Sequence, residues 1–99
     1  MPAQSDTSLS GKRAEAQKKI DVTAYYSHYK HPELPYKIIC VAIIEATEAP
    51  CVVYQALYGE QLTFVRPVSS WLETVEHNGS NVPRFSKLDT LPAAFANQK

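Results

Sequence analysis

The chain has 99 residues, of which 44% are hydrophobic and 20% are charged, a composition typical of one folded domain rather than a disordered chain. Ten basic and ten acidic residues give a formal net charge of zero, which argues against a protein that coats nucleic acid or an anionic membrane. The longest apolar run, residues 38–44, is far too short to span a bilayer, so we expect no membrane partner.

Motifs for secretion, metal binding and catalysis are missing from the sequence. No basic start is followed by an apolar stretch, so we expect a cytoplasmic protein without a secretory signal. Cys40 and Cys51 do not form a Cys-x-x-Cys motif and are interpreted as reduced, buried thiols, Cys40 within the core. His28 and His31 are too few ligands for a metal, and Pro32 would break a helix there. We therefore expect no metal and no cofactor.

The two ends of the chain differ from its middle in composition. Residues 12–19 are helix formers without a continuous apolar stripe, so a helix of about two turns there would be marginal alone. We interpret residues 1–24 as a flexible tail with a nascent helix. Residues 25–88 form the folded domain, and residues 89–99 form a second flexible tail.

The middle of the chain carries the pattern of a small, mainly β domain. It is rich in Val, Ile, Thr and Tyr, and Pro and Gly interrupt it at short intervals. This spacing predicts about five to six short antiparallel strands in a small barrel or a sandwich. The predicted strands cover residues 25–30, 36–46, 51–58, 62–66, 72–76 and 82–86.

Alternation along the strands assigns their faces. In the second predicted strand both alternating sets of side chains are apolar, which predicts a strand that is buried on both sides or strongly bent. In the third, Val52 and Tyr54 lie on the face opposite Val53 and Gln55. The segment 31–35 contains two prolines and is interpreted as a stiff loop.

Two local signals predict the connections after the fourth strand. Asn78 and Gly79 predict a hairpin with a type I′ turn, because both residues tolerate the positive φ that this turn requires. A serine pair before Trp71 predicts a helical turn that is capped by a serine side chain and carries Trp71 and Leu72 into the core.

The candidate binding residues are aromatic and polar rather than nucleophilic. An arginine among apolar neighbours usually pairs with a carboxylate or stacks on a ring, so Arg66 is interpreted as paired with Glu73 or as an anion clamp walled by tyrosines. Gln55 lies between apolar neighbours, which favours a backbone hydrogen bond over a ligand contact. The candidate ligand-binding residues are Tyr26, His28, Lys30, Tyr54, Gln55, Tyr58, Arg66, Glu73 and Arg84.

Several segments of the middle share the order and spacing of one known family. They are Tyr-Ser-His-Tyr-Lys over residues 26–30, Val-Val-Tyr-Gln-Ala-Leu-Tyr-Gly over 52–59, Val-Arg-Pro over 65–67, Leu-Glu-Thr-Val over 72–75 and Val-Pro-Arg-Phe over 82–85. Together they resemble the small domain of unknown function 1653. The resemblance covers residues 26–86 and implies an SH3-like barrel, but it implies no activity. The polar motif positions kept in this chain are His28, Lys30, Gln55, Tyr58, Arg66, Glu73 and Arg84.

The chain departs from this family's pattern in two places. The family commonly has a short turn with a glycine after the first strand, where this chain has the longer segment 31–35. It often has His-Ser-Glu-Thr before the Val-Val-Tyr strand, where residues 44–47 of this chain read Ile-Glu-Ala-Thr. Any site that used that histidine or serine is therefore absent here.

Three functional hypotheses follow. The favoured one is a non-catalytic recognition module that binds a small anionic ligand, a peptide or a protein partner in a groove walled by tyrosines. A single-stranded nucleic-acid binder is the alternative, disfavoured because residues 25–88 hold five basic and six acidic side chains. A small enzyme with His28 as base near Tyr58 or Glu73 is the least favoured. The oligomeric state is left open.

Overall fold

Antiparallel strands make up most of the fold between residues 25 and 88, so the prediction of a mainly β domain is confirmed. The structure is a computed structural model that describes residues 2–95, with side chains from residue 9 onward. Met1 and residues 96–99 of the predicted tails lie outside the described residues. The elements are α1 (Pro2–Lys19), β1 (Tyr25–His28), β2 (His31–Ile44), β3 (Ala49–Ala56), β4 (Thr63–Pro67), α2 (Val68–Trp71), β5 (Thr74–His77), β6 (Ser80–Pro83), β7 (Phe85–Leu88) and a 3₁₀ turn at Ala93–Phe95.

The strands form two antiparallel sheets of unequal size. The larger sheet has five strands in the order β4-β3-β2-β1-β7, and β5 and β6 pair with each other as a separate hairpin. β1 therefore pairs with both β2 and β7, which brings the first and last strands together. Within residues 2–95, β4 and β7 are the two edge strands of the larger sheet.

A bulge in β2 explains why both of its alternating sets are apolar. The pairing register with β3 shifts between Ile38 and Cys40, which leaves Ile39 as the extra residue. Ile38 and Val41 are consequently both buried, whereas Ile39 and Cys40 are exposed. The prediction that Cys40 lies in the core is therefore wrong, because a single inserted residue moves a side chain to the other face.

The segment 31–35 belongs to β2 rather than to a loop. Ser27 pairs with Pro35 and His28 pairs with His31, so residues 32–34 bulge out of the ladder between β1 and β2. Proline cannot donate a ladder hydrogen bond, and a bulge is one of the places where a strand tolerates it. The predicted loop is thus a wide bulge inside a long strand.

The hairpin between β5 and β6 has the predicted turn, but the strand that follows it is divided. Asn78 and Gly79 have φ values of 55° and 81°, as a type I′ turn requires. The predicted strand 82–86 splits at Arg84, whose N–H donates to the carbonyl of Glu73 at 2.9 Å. The carbonyl of Arg84 accepts from the N–H of Tyr29 at 3.0 Å, so this residue joins the hairpin to the larger sheet.

α2 is the predicted helical turn with a different cap. Pro67 precedes it and makes no side-chain cap hydrogen bond, so the predicted serine cap is wrong. Proline has no side-chain oxygen, so Pro67 cannot accept a hydrogen bond from the N–H groups of the first helical turn. Trp71 is buried as predicted, with 2% of its surface exposed, whereas Leu72 is 42% exposed.

An aromatic cluster forms the centre of the core. The rings of Trp71 and Phe85 are stacked with their centroids 3.8 Å apart. Tyr26 and Tyr54 meet the Trp71 ring edge-on, at 5.4 and 4.9 Å. The two edge-on contacts are favourable beyond the area that the rings bury. The rest of the core cluster comprises Ala16, Ile20, Ile38, Val41, Val52 and Val68, with Ala24 and Tyr36 packed against it.

The end of α1 is fastened to the sheet through Asp21. The Asp21 N–H donates to the Tyr26 hydroxyl at 2.9 Å, and its carboxylate pairs with Lys87 at 2.9 Å. Hydrogen bonds from Thr23 and from Lys87 lower the pKa of Asp21 to about 2. The helix is longer than the two turns predicted, and the flexibility of residues 1–24 stays a prediction. None of the helices described over residues 2–95 has the length and hydropathy needed to cross a membrane.

Replacing Trp71 with alanine is expected to destabilise the domain by about 3–5 kcal/mol, because it removes a buried ring and leaves a cavity beside Phe85. Chemical denaturation followed by circular dichroism measures the change. Leu72→Ala is the matched control, since this neighbour is largely exposed and should cost under about 1 kcal/mol. Equal losses for the two variants would contradict the packing described here.

The two thiols are expected to differ in reactivity. Cys40 is exposed and Cys51 is buried, and burial raises the pKa of the Cys51 thiol. Because the thiolate is the reactive form, a thiol-specific chromogenic reagent should modify Cys40 in the native protein and Cys51 only after unfolding. Cys40→Ser should abolish the native reaction. A fast native reaction that persists in this variant would contradict the burial of Cys51.

Candidate ligand-binding site

A cavity of about 300 Å³ opens beside the aromatic cluster, on the face of the larger sheet that carries the core. Four of its eight lining residues are tyrosine or phenylalanine, and the other four carry basic or imidazole side chains. None of its lining residues is acidic. We call it the cationic pocket, and it is lined by His28, Lys30, His31, Tyr36, Tyr54, Phe64, Arg66 and Phe85.

Arg66, on β4, is held in place by neutral groups. Its Nη1 donates to the Ser70 hydroxyl at 2.9 Å, and its Nε donates weakly to the Tyr54 hydroxyl at 3.5 Å. The guanidinium carbon lies 5.4 Å from the centre of the Phe85 ring, a cation–π distance. Among the described residues no carboxylate pairs with it. Arg66 is thus fixed in position while its charge remains uncompensated.

The predicted pair between Arg66 and Glu73 is not formed, because a different arginine takes the carboxylate. Arg84 Nη2 donates to Glu73 Oε1 at 2.8 Å, and Arg84 Nε donates to the Ser70 carbonyl at 3.1 Å. Both contacts follow from the position of Arg84 between the two sheets. Glu73 and Arg84 are therefore explained by the structure of the α2–β5 connection.

The aromatic wall is built from four strands, with Phe85 of β7 beside the rings of β2, β3 and β4. Tyr36 meets Tyr54 edge-on at 5.4 Å, and Phe64 lies tilted against Tyr54 at 5.7 Å. The hydroxyls of Tyr36 and Tyr58 share a short hydrogen bond. Burial first, and then this bond, raises the pKa of Tyr36, so the phenol stays neutral. The wall adds no negative charge to the pocket.

His28 is kept neutral by its surroundings. Its Nδ1 accepts from the Lys30 N–H at 3.2 Å, which places the ring proton on Nε2. Burial, followed by the positive charges of Arg66, Arg84 and Lys30, lowers the pKa of His28 below 6.5. The ring packs edge-on against Phe85 at 5.1 Å. The same cations that disfavour imidazolium would attract an anion.

The structure brings four of the predicted site residues together and places the others elsewhere. His28, Lys30, Tyr54 and Arg66 line the cationic pocket. Tyr26 is 7% exposed and its hydroxyl is used by Asp21, so it belongs to the core. Tyr58 is not among the lining residues, and its hydroxyl shares a hydrogen bond with that of Tyr36. Gln55 lies on the other face of β3, where its Nε2 donates to the Gln61 carbonyl at 3.0 Å.

Four pocket residues were missed by the sequence reasoning, namely His31, Tyr36, Phe64 and Phe85. Phe64 and Arg66 are two positions apart in a predicted strand, so alternation puts them on the same face, and this was a usable signal. Phe85 follows Arg84 directly, but its place in the pocket depends on the pairing of β7 with β1. The folding of the segment 31–35 into β2 brings in His31, whose ring lies 3.8 Å from the exposed carboxylate of Glu33.

A larger cleft lies under α1 but has a less specific lining. It measures about 500 Å³, and both charges occur on its rim, as Lys12, Lys19 and Glu15. It contains no aromatic ring, so it offers fewer directional contacts than the cationic pocket. In the part of the chain that the structure describes, no three His, Cys, Asp or Glu side chains are grouped to hold a metal ion.

Comparison with known proteins agrees with the resemblance in sequence. The model of the family described as "Protein of unknown function (DUF1653)" matches residues 24–87. The chain belongs to the DUF1653 family. A crystal structure of a DUF1653 protein from Bordetella bronchiseptica is similar to it at 29% identity and a TM-score of 0.59, over 67% of this chain and 85% of the other. A search of the curated proteins gave no match. Every residue that lines the cationic pocket falls within the DUF1653 segment.

The pKa of His28 is expected to rise towards 6.5 when Arg66 is replaced by glutamine, because one of the charges that disfavour imidazolium is removed. An NMR titration of the imidazole signals measures it. Lys37→Gln is the control, since Lys37 lies on the opposite face of β2 from Tyr36. An unchanged His28 pKa in Arg66→Gln would contradict the pocket geometry.

The lowered pKa also sets the sign of a pH effect on stability. Because the unfolded chain takes up the His28 proton first, the contribution of this residue to stability is present above pH 6.5. It is lost as the pH falls through the lower, folded-state pKa. The loss should be smaller in Arg66→Gln.

Proposed function

We propose that this DUF1653 domain is a non-catalytic recognition module whose cationic pocket binds a carboxylate or similar anion. The supporting observation is Arg66, a guanidinium fixed by Ser70 and Phe85 that has no acidic partner among the described residues. A positioned but uncompensated arginine is suited to bind a planar anion through two parallel hydrogen bonds. We also propose that the protein acts in the cytoplasm, with an oligomeric state that the proposal leaves open.

Two properties of the pocket support binding of this kind. Two of the five guanidinium N–H donors are used by Ser70 and Tyr54, so others remain for a ligand. A hydrogen bond to a charged group contributes about 1.5–3 kcal/mol, and the aromatic wall adds contact area. The volume of about 300 Å³ suits a small ring-bearing carboxylate or a few side chains of a peptide.

The pocket has little to support the enzyme hypothesis. His28 uses Nδ1 to accept the Lys30 N–H, and the nearby hydroxyls of Tyr36 and Tyr58 bond each other. A general base needs a proton donor within hydrogen-bond reach and usually a third group that orients it. This geometry favours binding over catalysis.

We further propose that the larger sheet and the hairpin together form an SH3-like barrel. The strand order β4-β3-β2-β1-β7, with the last strand beside the first and a short helical turn after β4, supports this interpretation. In such a barrel the pocket would lie at the rim, between the ends of β1, β2 and β4. A rim position agrees with the 40% exposure of Phe64.

A single-stranded nucleic acid is the competing ligand. Exposed Phe64 lines the pocket together with Arg66 and Lys30, which offers one ring to stack a base and two cations to bind a phosphate. Binding of this class depends steeply on salt, whereas binding of one carboxylate depends on it weakly. The two classes are therefore separable by one titration series.

Arg66→Gln is expected to weaken binding of benzoate by about 10–100-fold, the loss of one charged hydrogen-bonding group. Isothermal titration calorimetry measures it, with benzamide as the neutral ligand of the same shape. The wild-type protein should prefer benzoate to benzamide, and the variant should show no preference. Lys37→Gln should bind as the wild type does.

The same titrations decide between the candidate functions. Equal affinity of wild-type protein and Arg66→Gln for benzoate would overturn the proposed anion site. An oligothymidylate that binds more tightly than benzoate, with an affinity falling steeply as salt is raised, would favour the nucleic-acid alternative.

A further inference from the structure

The free edge of β4 borders the cationic pocket, and the two features share residues. Phe64 and Arg66 line the pocket, and both belong to β4, which pairs only with β3 among the described residues. Building on the proposed function, we propose that the natural ligand is an extended acidic segment of a partner protein. This segment adds to β4 as a further strand and places a carboxylate against Arg66.

The backbone of β4 has unused hydrogen-bonding groups on its outer side. The Ala56 N–H donates to the Leu62 carbonyl at 3.0 Å, which marks this pair as hydrogen-bonded to β3. Hydrogen-bonded positions alternate in an antiparallel ladder, so the backbone groups of Phe64 and Arg66 also turn towards β3. Those of Thr63 and Val65 therefore point outward, and they offer two N–H donors and two carbonyl acceptors to an added strand.

Few of the usual protections cover this edge. Exposed edge strands are commonly blunted by charged side chains, and the three residues Thr63, Phe64 and Val65 carry none. Val65 is 59% exposed and Phe64 is 40% exposed, although both are large apolar side chains. Pro67, which lacks an N–H, ends the available ladder. The edge thus offers a short, apolar and defined docking length.

The alternation of side chains along β4 indicates which residues such a segment would carry. Side chains that lie side by side across a sheet share a face, so the added residues opposite Phe64 and Arg66 point to the pocket side. An acidic residue opposite Arg66 would meet its guanidinium, and an apolar residue opposite Phe64 would extend the aromatic wall. The preferred segment therefore has an acidic and an apolar residue two positions apart.

Charge favours an acidic partner over a second copy of this chain on the same edge. An antiparallel pair of β4 strands centred on Val65 would set Phe64 of one copy opposite Arg66 of the other and make the two Arg66 side chains diagonal neighbours on one face, with no acid in the pocket lining between them. The diagonal spacing of about 7–8 Å is within reach of long side chains, so the two like charges would repel each other. An acidic segment brings no second arginine to this edge, and its carboxylate would pair with Arg66.

Val65→Pro tests the docking directly. The Val65 N–H points away from β3, so its loss leaves the β3–β4 ladder intact, while a partner strand loses a donor and meets the proline ring. The probe is an acetylated, amidated ten-residue peptide of threonine and serine with Phe and Asp two positions apart, made in both orders. A second peptide has Asn in place of Asp.

We expect the wild-type protein to bind the Asp peptide about 10-fold or more tightly than the Asn peptide, and Arg66→Gln to remove this preference. Val65→Pro should weaken binding of the Asp peptide about 10-fold while leaving benzoate affinity unchanged, and Val65→Thr should bind as the wild type does. In the wild-type protein, hydrogen exchange at the amides of Thr63 and Val65 should slow when the peptide is added.

The outcomes separate this inference from the function on which it rests. If Val65→Pro binds the Asp peptide as tightly as Val65→Thr, or the Val65 amide is not protected by peptide, docking on β4 is overturned even though benzoate binding still depends on Arg66. If benzoate binding does not depend on Arg66, the anion site itself fails. A concentration-dependent dimer, seen by sedimentation and abolished by Val65→Pro, would overturn the acidic-segment proposal in favour of self-association.

Discussion

The ring of Phe85 is shared between the core and the cationic pocket, and most of the structure depends on its position. One face stacks on Trp71 at 3.8 Å, and the Arg66 guanidinium lies 5.4 Å from the ring centre. His28 meets it edge-on at 5.1 Å. Because Phe85 opens β7, it is in place only when the last strand has paired with the first. Formation of the sheet therefore builds the wall of the pocket, and the rigid stack against Trp71 keeps that wall from collapsing into the cavity.

Features of the fold that depend on a few adjacent residues were predicted from the sequence. The alternation along β3 put Val52 and Tyr54 on one face, which the structure shows to be the core face, and Asn78-Gly79 predicted the turn, since period and positive φ are properties of a few adjacent residues. The β2 bulge was not predictable in the same way. A strand with apolar residues in both sets gives no signal for where the extra residue lies, and Ile39 is identified only by its pairing with β3. The error about Cys40 has this cause.

The candidate site was predictable in part for a similar reason. Arg66 was a candidate from the sequence alone, because an arginine among Phe and Val side chains usually pairs with a carboxylate or stacks on a ring. The absence of an acidic partner for Arg66 among the described residues cannot be seen in sequence. Glu73 pairs with Arg84 instead, because the chain crosses between the two sheets at residue 84. Tyr36 and Phe85 join the pocket through pairings between residues distant in the chain. For Gln55 the sequence favoured a backbone hydrogen bond over a ligand contact, and its amide does donate to the Gln61 carbonyl, on the face away from the pocket.

The two arginines show how one short turn can separate a structural role from a recognition role. Ser70, in α2, accepts hydrogen bonds from both: its hydroxyl from Arg66 and its carbonyl from Arg84. Arg84 also donates to Glu73, so its charge is neutralised and its two side-chain hydrogen bonds hold the α2–β5 connection. Arg66 has only neutral partners among the described residues, so the turn fixes its direction without compensating its charge. An arginine that is held in place in this way loses little side-chain entropy when an anion arrives. The same contacts that stabilise the α2 connection therefore prepare Arg66 for a ligand, and they do so on the strand whose outer edge is free.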